Sequence, residues 1–224
     1  MYDDLRLEHS STVDRAADEI RRALFAGQIP PGTPLRELAL SEAMGVGRST
    51  IREALGTLVA EGLAVRAPNR GVSVKALSDE DVHDVLRARA ALESAGVRGW
   101  PDATDDERQA VRDAVEEYSR LAVDTTDVAT LTRAHLDIHR ALVGLTGSRR
   151  LIAAADALSA EIRLGLADVD RTRGNLAEQV ANHRRLVELL DDDEIEAAGA
   201  ELEDHLAAAQ VSLLDATRHA RIEP

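Results

Sequence analysis

Four of the seven histidines in this 224-residue chain fall inside segments of helical periodicity: His135, His139, His183 and His205. His135 and His139 are four residues apart, which is about 40° around a helix. That spacing lets two imidazoles on one face bind one metal ion. His183 and His205 come from two later segments. Two ligands from one helix and one from each of two others suit a metal in the core of a helical bundle. Imidazole favours Zn, Ni, Fe or Cu. The pair has no HExxH glutamate, which argues against a zinc protease. A single histidine is more often a surface or hydrogen-bonded core residue, so the weight rests on the set. The remaining three lie near the termini (His9, His219) or on an acidic helix start (His83). Cysteine is absent, which excludes a disulfide scaffold, thiolate metal ligands and a cysteine nucleophile.

A second group of side chains suits nucleic acid. Arg48, Ser49, Thr50 and Arg52 open a segment, 48–60, whose Ile51, Ala54, Leu55 and Leu58 form an inner helical face. Arginine can fork onto guanine, hydroxyls can contact bases or phosphates, and free N–H groups at a helix start favour a phosphate. Upstream, Val13, Ala16, Ala17, Ile20 and Leu24 mark a helix over 12–26, and Leu35, Leu38, Ala39 and Met44 a short one closed by Gly45. Thr50 and Glu53 have the spacing of a capping box. A short helix, a turn with glycine and a second helix make a helix-turn-helix. Leu63-Ala64-Val65-Arg66 and Val72-Ser73-Val74-Lys75 then flank a Pro/Asn/Gly turn and predict a hairpin, which is a wing in this position. Asn69 and Arg70 stand at its tip, within reach of a DNA backbone or minor groove. The expected second helix enters the major groove N-terminus first.

Charge divides the chain at the same place. Its net charge is −14, from 41 acidic and 27 Lys+Arg side chains. Residues 1–78 carry ten of each, so the excess belongs wholly to 79–224. The acidic whole argues against nucleic acid, but Arg48, Arg52, Arg66, Arg70 and Lys75 form a local basic cluster in the first part. We place the boundary near Leu77-Ser78-Asp79, where Ser78 is a good N-cap for a helix starting with three acids. The predicted domains are 1–78 and 79–224. The second reads as about six helices, over 79–99, 104–122, 127–146, 148–168, 175–190 and 192–218. Pro101, Asp124-Thr125-Thr126, Gly147-Ser148 and Thr172-Arg173-Gly174 are the breaks. With few aromatics, the core must be built from Leu, Ala, Val and Ile. The expected fold is therefore mainly α: a winged helix-turn-helix with a small hairpin, then an antiparallel all-α bundle. No apolar run approaches a membrane span, and Met1-Tyr2-Asp3-Asp4 lacks the blocks of a signal peptide, so a cytoplasmic protein is expected.

The segment GQIPPGTPLRELALSEAMGVGRSTIREALGTLVAEGLAVRAPNRGVSV resembles the winged-helix domain of GntR-type transcriptional regulators, with PGTPLRE, LSEAMGVGRSTIREAL, EGL and PNRG in family order. The resemblance implies DNA contacts from Arg36, Arg48, Ser49, Thr50, Arg52 and the wing at Gly71. Gly47 stands where the family usually has serine. From Asp81 onward the chain is similar to the all-helical FCD effector domain of the FadR subfamily. The carrying stretches are Arg89-Ala-Ala-Leu92-Glu93, IHRALVGLTGSRRL, NHRRLVELL and DHLAAA. The resemblance implies a divalent metal held by one Asp and three His. His139, His183 and His205 match the histidines, and His135 falls on the Asp position. Asp137 is nearby but two residues along the helix, on the wrong face. The departure tilts the site toward imidazole-binding ions, Zn or Ni. A small carboxylate effector completes the coordination sphere in the family. Arg89 would pair with it if it points inward, and would otherwise form a surface salt bridge.

These readings predict a ligand-responsive regulator, more readily a repressor than an activator. As a homodimer it would bind a palindromic operator in double-stranded DNA, with no enzymatic activity and no membrane partner. The rivals are a metal-dependent hydrolase using the histidines and a direct metal sensor.

Overall fold

The computed structural model describes residues 11–68, 70–172 and 176–222, with backbone alone for 166–172 and 219–222. The chain divides after Lys75 into two compact units. The break expected at Thr172-Arg173-Gly174 falls largely outside the described residues, as does Asn69.

The first unit holds α1 (Thr12–Phe25), α2 (Glu37–Met44), α3 (Arg48–Ala60), β1 (Ala64–Ala67) and β2 (Gly71–Val74). Ser11 caps α1 in a capping box with Asp14. The α1 residues Ala16, Ala17, Ile20 and Leu24 and the α3 residues Ile51, Ala54, Leu55 and Leu58 are all buried, as their three-and-four spacing requires. Arg21 on α1 clamps Glu61 at the end of α3, through Nε at 3.0 Å and Nη2 at 2.7 Å. Gly45 closes α2 with φ +64°, and the Ser41 hydroxyl donates to Val46 O at 2.6 Å, so the turn is held from inside. The capping box expected at Thr50 and Glu53 does not form. The N-cap is Gly47, and no side chain caps it. Because α3 begins at Arg48, Thr50 is already its third helical residue and cannot adopt the extended backbone of a cap.

The hairpin pairs Ala64 with Val74 through to Ala67 with Gly71, whose φ of +83° suits glycine. The segment 32–35, whose Leu35 is expected to open the short helix that in fact begins at Glu37, also pairs with β2. Gly32 N donates to Val74 O (3.1 Å), Val74 N to Thr33 O (2.9 Å) and Leu35 N to Val72 O (2.8 Å). Pro34 hid this pairing, because a residue without an N–H is tolerated only at an edge.

The second unit holds α4 (Asp79–Arg98), a 3-10 turn (Trp100–Asp102), α5 (Asp105–Asp124), α6 (Val128–Gly144), α7 (Arg149–Thr172), α8 (Leu176–Asp191) and α9 (Ile195–Ile222). Ser78 with Asp81 and Thr104 with Glu107 form capping boxes at α4 and α5. The start of α9 is later than the expected 192. Asp193 takes a left-handed φ of +61°, and Glu194 N donates to Leu189 O, so residues 192–194 terminate α8 instead of opening α9.

Within the bundle α4 and α6 run in the same direction. Glu93 faces His139, Gly96 faces Leu142 and Gly99 faces Leu145, a constant register along both helices. Gly96 makes the approach possible: a Cβ there would sit 1.8 Å from Leu142 O. One core layer joins Val97, Trp100, Val111, Leu142, Leu190 and Leu202, and another joins Val115, Tyr118, Ala134 and Ile138.

Candidate functional site

Helices α6, α8 and α9 bring His135, His139, His183 and His205 together, each with one ligand nitrogen within 4.8 Å of the others. The first three are buried and His205 is half-buried. His135 Nε2 and His139 Nε2 are 3.3 Å apart. Two nitrogens on a tetrahedral ion with bonds of about 2.05 Å are separated by about 3.3 Å, so this pair already has ligand spacing.

Hydrogen bonds orient two of the rings. His139 Nδ1 donates to Glu93 Oε2 at 2.8 Å, which leaves its Nε2 as a lone pair facing the cluster. His183 Nδ1 donates to Gln179 O at 2.7 Å, and its buried Nε2 has no partner. His135 Nδ1 is likewise buried without a partner. Buried imidazole nitrogens without partners are costly; an ion in the cluster would satisfy His183 Nε2, whereas His135 faces the cluster with Nε2 and its Nδ1 lies on the far side of the ring. Burial holds His135, His139 and His205 well below the ordinary histidine range, reinforced by neighbouring histidines and the Arg89 charge. His183 is pushed down to about 4 by burial, against the opposing pull of its bond to Gln179 and the charge of Glu93. All four are therefore neutral at pH 7, the form that ligates metal.

Arg89 points inward and is 4% exposed. It is also ion-paired: its Nε donates to Glu93 Oε1 at 2.8 Å. The alternative of a surface salt bridge is thus corrected, since both partners are buried. Arg89 Nη2 is buried without a partner. Burial raises the Glu93 carboxyl, with Arg89 opposing. Asp137 is exposed, on the opposite side of α6 from the cluster, as expected.

Sequence reasoning missed Glu93 and Gln179 as site residues. The signal for Glu93 was its four-residue spacing from Arg89, the spacing of a helical ion pair. Nothing in the sequence marked Gln179, which acts through its backbone carbonyl.

In the first unit Arg36, Arg48, Ser49, Arg52, Arg70 and Gly71 are exposed and Thr50 is half-buried. Arg48, Ser49, Thr50 and Arg52 share the first turns of α3. Arg52 is held by Glu37 of α2, with Nε–Oε1 at 2.9 Å and Nη2–Oε2 at 2.8 Å. Arg48 Nη2 lies 3.8 Å from the same carboxylate. Arg52 in turn holds the Glu37 carboxyl below the usual range. Glu37 is a further residue that sequence reasoning missed.

Residues 12–74 match the gntR family of bacterial regulatory proteins, and residues 84–208 match the FCD domain. A "Probable D-xylose utilization operon transcriptional repressor" of Paenarthrobacter nicotinovorans is 29% identical, covering 96% of this chain and 92% of that one. A "Gluconate operon transcriptional repressor" of Bacillus licheniformis is 27% identical, over 64% of this chain and 58% of that one. The crystal structure of a GntR regulator from Rhodococcus sp. RHA1 superposes with a TM-score of 0.78 at 29% identity, covering 92% of this chain and 99% of that one.

Proposed function

The chain belongs to the GntR family of bacterial regulatory proteins and carries the FCD domain, so it is a DNA-binding transcriptional regulator, and we propose that it is a repressor controlled by a small carboxylate and a bound divalent metal. Repressors among its relatives support the direction of control. The hydrolase alternative is set aside, because the family and the relatives are transcriptional regulators.

The observation that carries the metal is the convergence of four neutral imidazoles, two of them aimed by hydrogen bonds from their far nitrogens. His135, His139, His183 and His205 would hold the ion, which we assign as Zn or Ni from the all-nitrogen donor set. When bound, the ion supplies a positive centre that attracts a carboxylate. Arg89 Nη2 offers that carboxylate a buried hydrogen-bond donor, and Glu93 keeps the guanidinium in place. Effector binding would favour one arrangement of the DNA-binding units and so change operator affinity by linkage.

For DNA we assign Arg48, Ser49, Thr50 and Arg52 to the major groove, with Arg36, Asn69, Arg70 and Gly71 at the backbone or minor groove. A homodimer would place two such units on the half-sites of a palindrome. Glu37 restrains Arg52 through its Nε and Nη2, which limits the entropy lost when the remaining guanidinium hydrogens meet a base.

The test selects duplexes from a random pool with the purified protein, then compares it with Arg48→Ala/Arg52→Ala by gel shift. The double variant should keep its fold and bind about 30-fold or more weaker, since each bidentate contact is worth about 1–3 kcal/mol. Retained affinity would refute the recognition helix. Metal content by elemental analysis tests the second unit independently.

A further inference from the structure

The four metal-ligand candidates are all neutral, so the donor set brings no charge to a dication. Among the described residues one carboxylate is hydrogen-bonded to any of them, and it is Glu93. Glu93 is 1% exposed, and its two oxygens have separate partners: Oε2 accepts from His139 Nδ1 and Oε1 from Arg89 Nε, each at 2.8 Å. We propose that Glu93 is the anion of the metal centre, acting through His139 as a positioning residue, while Arg89 opposes the metal's charge. The proposal rests on the metal reading above.

Three consequences follow from the geometry. The Glu93 bond forces the proton of His139 onto Nδ1 and so exposes the Nε2 lone pair. A carboxylate behind an imidazole also raises its basicity as a ligand. Buried charge is screened weakly, so the single negative charge one imidazole away stabilises a dication at the cluster. Arg89 is the counterweight. Its guanidinium is buried against the other oxygen of the same carboxylate, so a dication at the cluster meets its positive charge with little screening.

This makes the two partners of one buried ion pair opposite in effect, which a purely structural pair would not be. The experiment titrates Zn²⁺ into the full-length apo protein against a chromophoric chelator, for wild type, Glu93→Gln, Arg89→Met and the double variant. Helical content by circular dichroism is measured alongside. Glutamine keeps the shape and the acceptor but removes the charge. Glu93→Gln should weaken Zn²⁺ by about 10–100-fold, the usual scale for removing such a partner. Arg89→Met should bind Zn²⁺ as tightly as wild type or more tightly. The double variant, which has no unpaired buried charge and so guards against misfolding of Glu93→Gln, should bind more weakly than Arg89→Met. Wild-type affinity in Glu93→Gln, or equal losses in Glu93→Gln and Arg89→Met, would overturn the proposal and leave the metal site standing. Absence of Zn²⁺ and Ni²⁺ binding by wild type would overturn the metal reading and this proposal with it.

Discussion

Gly96→Ala should be among the most damaging single-methyl additions in the second unit. The new Cβ would lie 1.8 Å from Leu142 O and 2.7 Å from Leu142 C, both backbone atoms of α6. Restoring an ordinary carbon–oxygen contact needs α4 and α6 to part by about 1.5 Å. Such a shift stretches the 2.8 Å bond between Glu93 and His139, one turn away on the same two helices, past hydrogen-bonding range. Overpacking alone costs about 1–3 kcal/mol. Losing a buried hydrogen bond to a charged group adds about 1.5–3 kcal/mol. The sum, about 2.5–6 kcal/mol, is a large share of a typical domain's 5–15 kcal/mol. The assay is urea unfolding of the apo protein followed by fluorescence of Trp100, the single tryptophan, which packs in the same core layer as Leu142. Gly199→Ala is the matched control. It makes the same chemical change inside α9 with nothing within 4 Å of the new methyl, and should stabilise by about 0.5–1 kcal/mol. A Gly96→Ala midpoint equal to wild type would refute the claim that this glycine sets the α4–α6 distance.

His183→Ala should lower the bound metal of the purified protein, measured by elemental analysis, while Gln179→Ala, which keeps the accepting carbonyl, should retain it. The pH dependence of the α5 cap is also fixed in sign. Thr104 holds Glu107 below the ordinary value of 4.5 through its backbone N–H and its hydroxyl. A depressed carboxyl stabilises the fold above the unfolded value, and that contribution fades as pH falls through the folded one. The stability gap between wild type and Glu107→Gln, measured by urea midpoints, should therefore shrink below about pH 4.5. A gap that is constant from pH 7 to pH 3.5 would show that the charge contributes nothing.

Periodicity located α1 and α3 because their buried faces are simple, whereas α2 buries none of its residues. Ile51, Ala54, Leu55 and Leu58 repeat at the helical spacing and are all core. Ser78, followed by three acids, is a cap by composition alone. What escaped notice depended on partners distant in sequence. Residues 32–35 pair with β2 through backbone groups that carry no side-chain signal. The start of α3 at Arg48 is the expected one, but its N-cap is Gly47, so the Thr50–Glu53 spacing misled about the cap. Glu37 and Arg52 are fifteen residues apart and meet only because the turn held by Ser41 and Val46 sets α2 against α3. Asn69, expected at the wing tip, lies outside the described residues.

The histidines show the limit more sharply. Helical spacing was enough to put His135 and His139 on one face and Asp137 on the other, because it concerns one helix. It could not say what stands behind the ligands, because that depends on the register of α4 against α6. The register places Arg89 and Glu93 beside His135 and His139, and the missing side chain of Gly96 permits it one turn further on. His135 stands where the resemblance implies an aspartate, and the close approach at Gly96 puts another carboxylate, Glu93, behind His139. On the metal reading proposed above, the charge the donor set lacks would be supplied by helix packing, from a residue that stands four positions from an arginine.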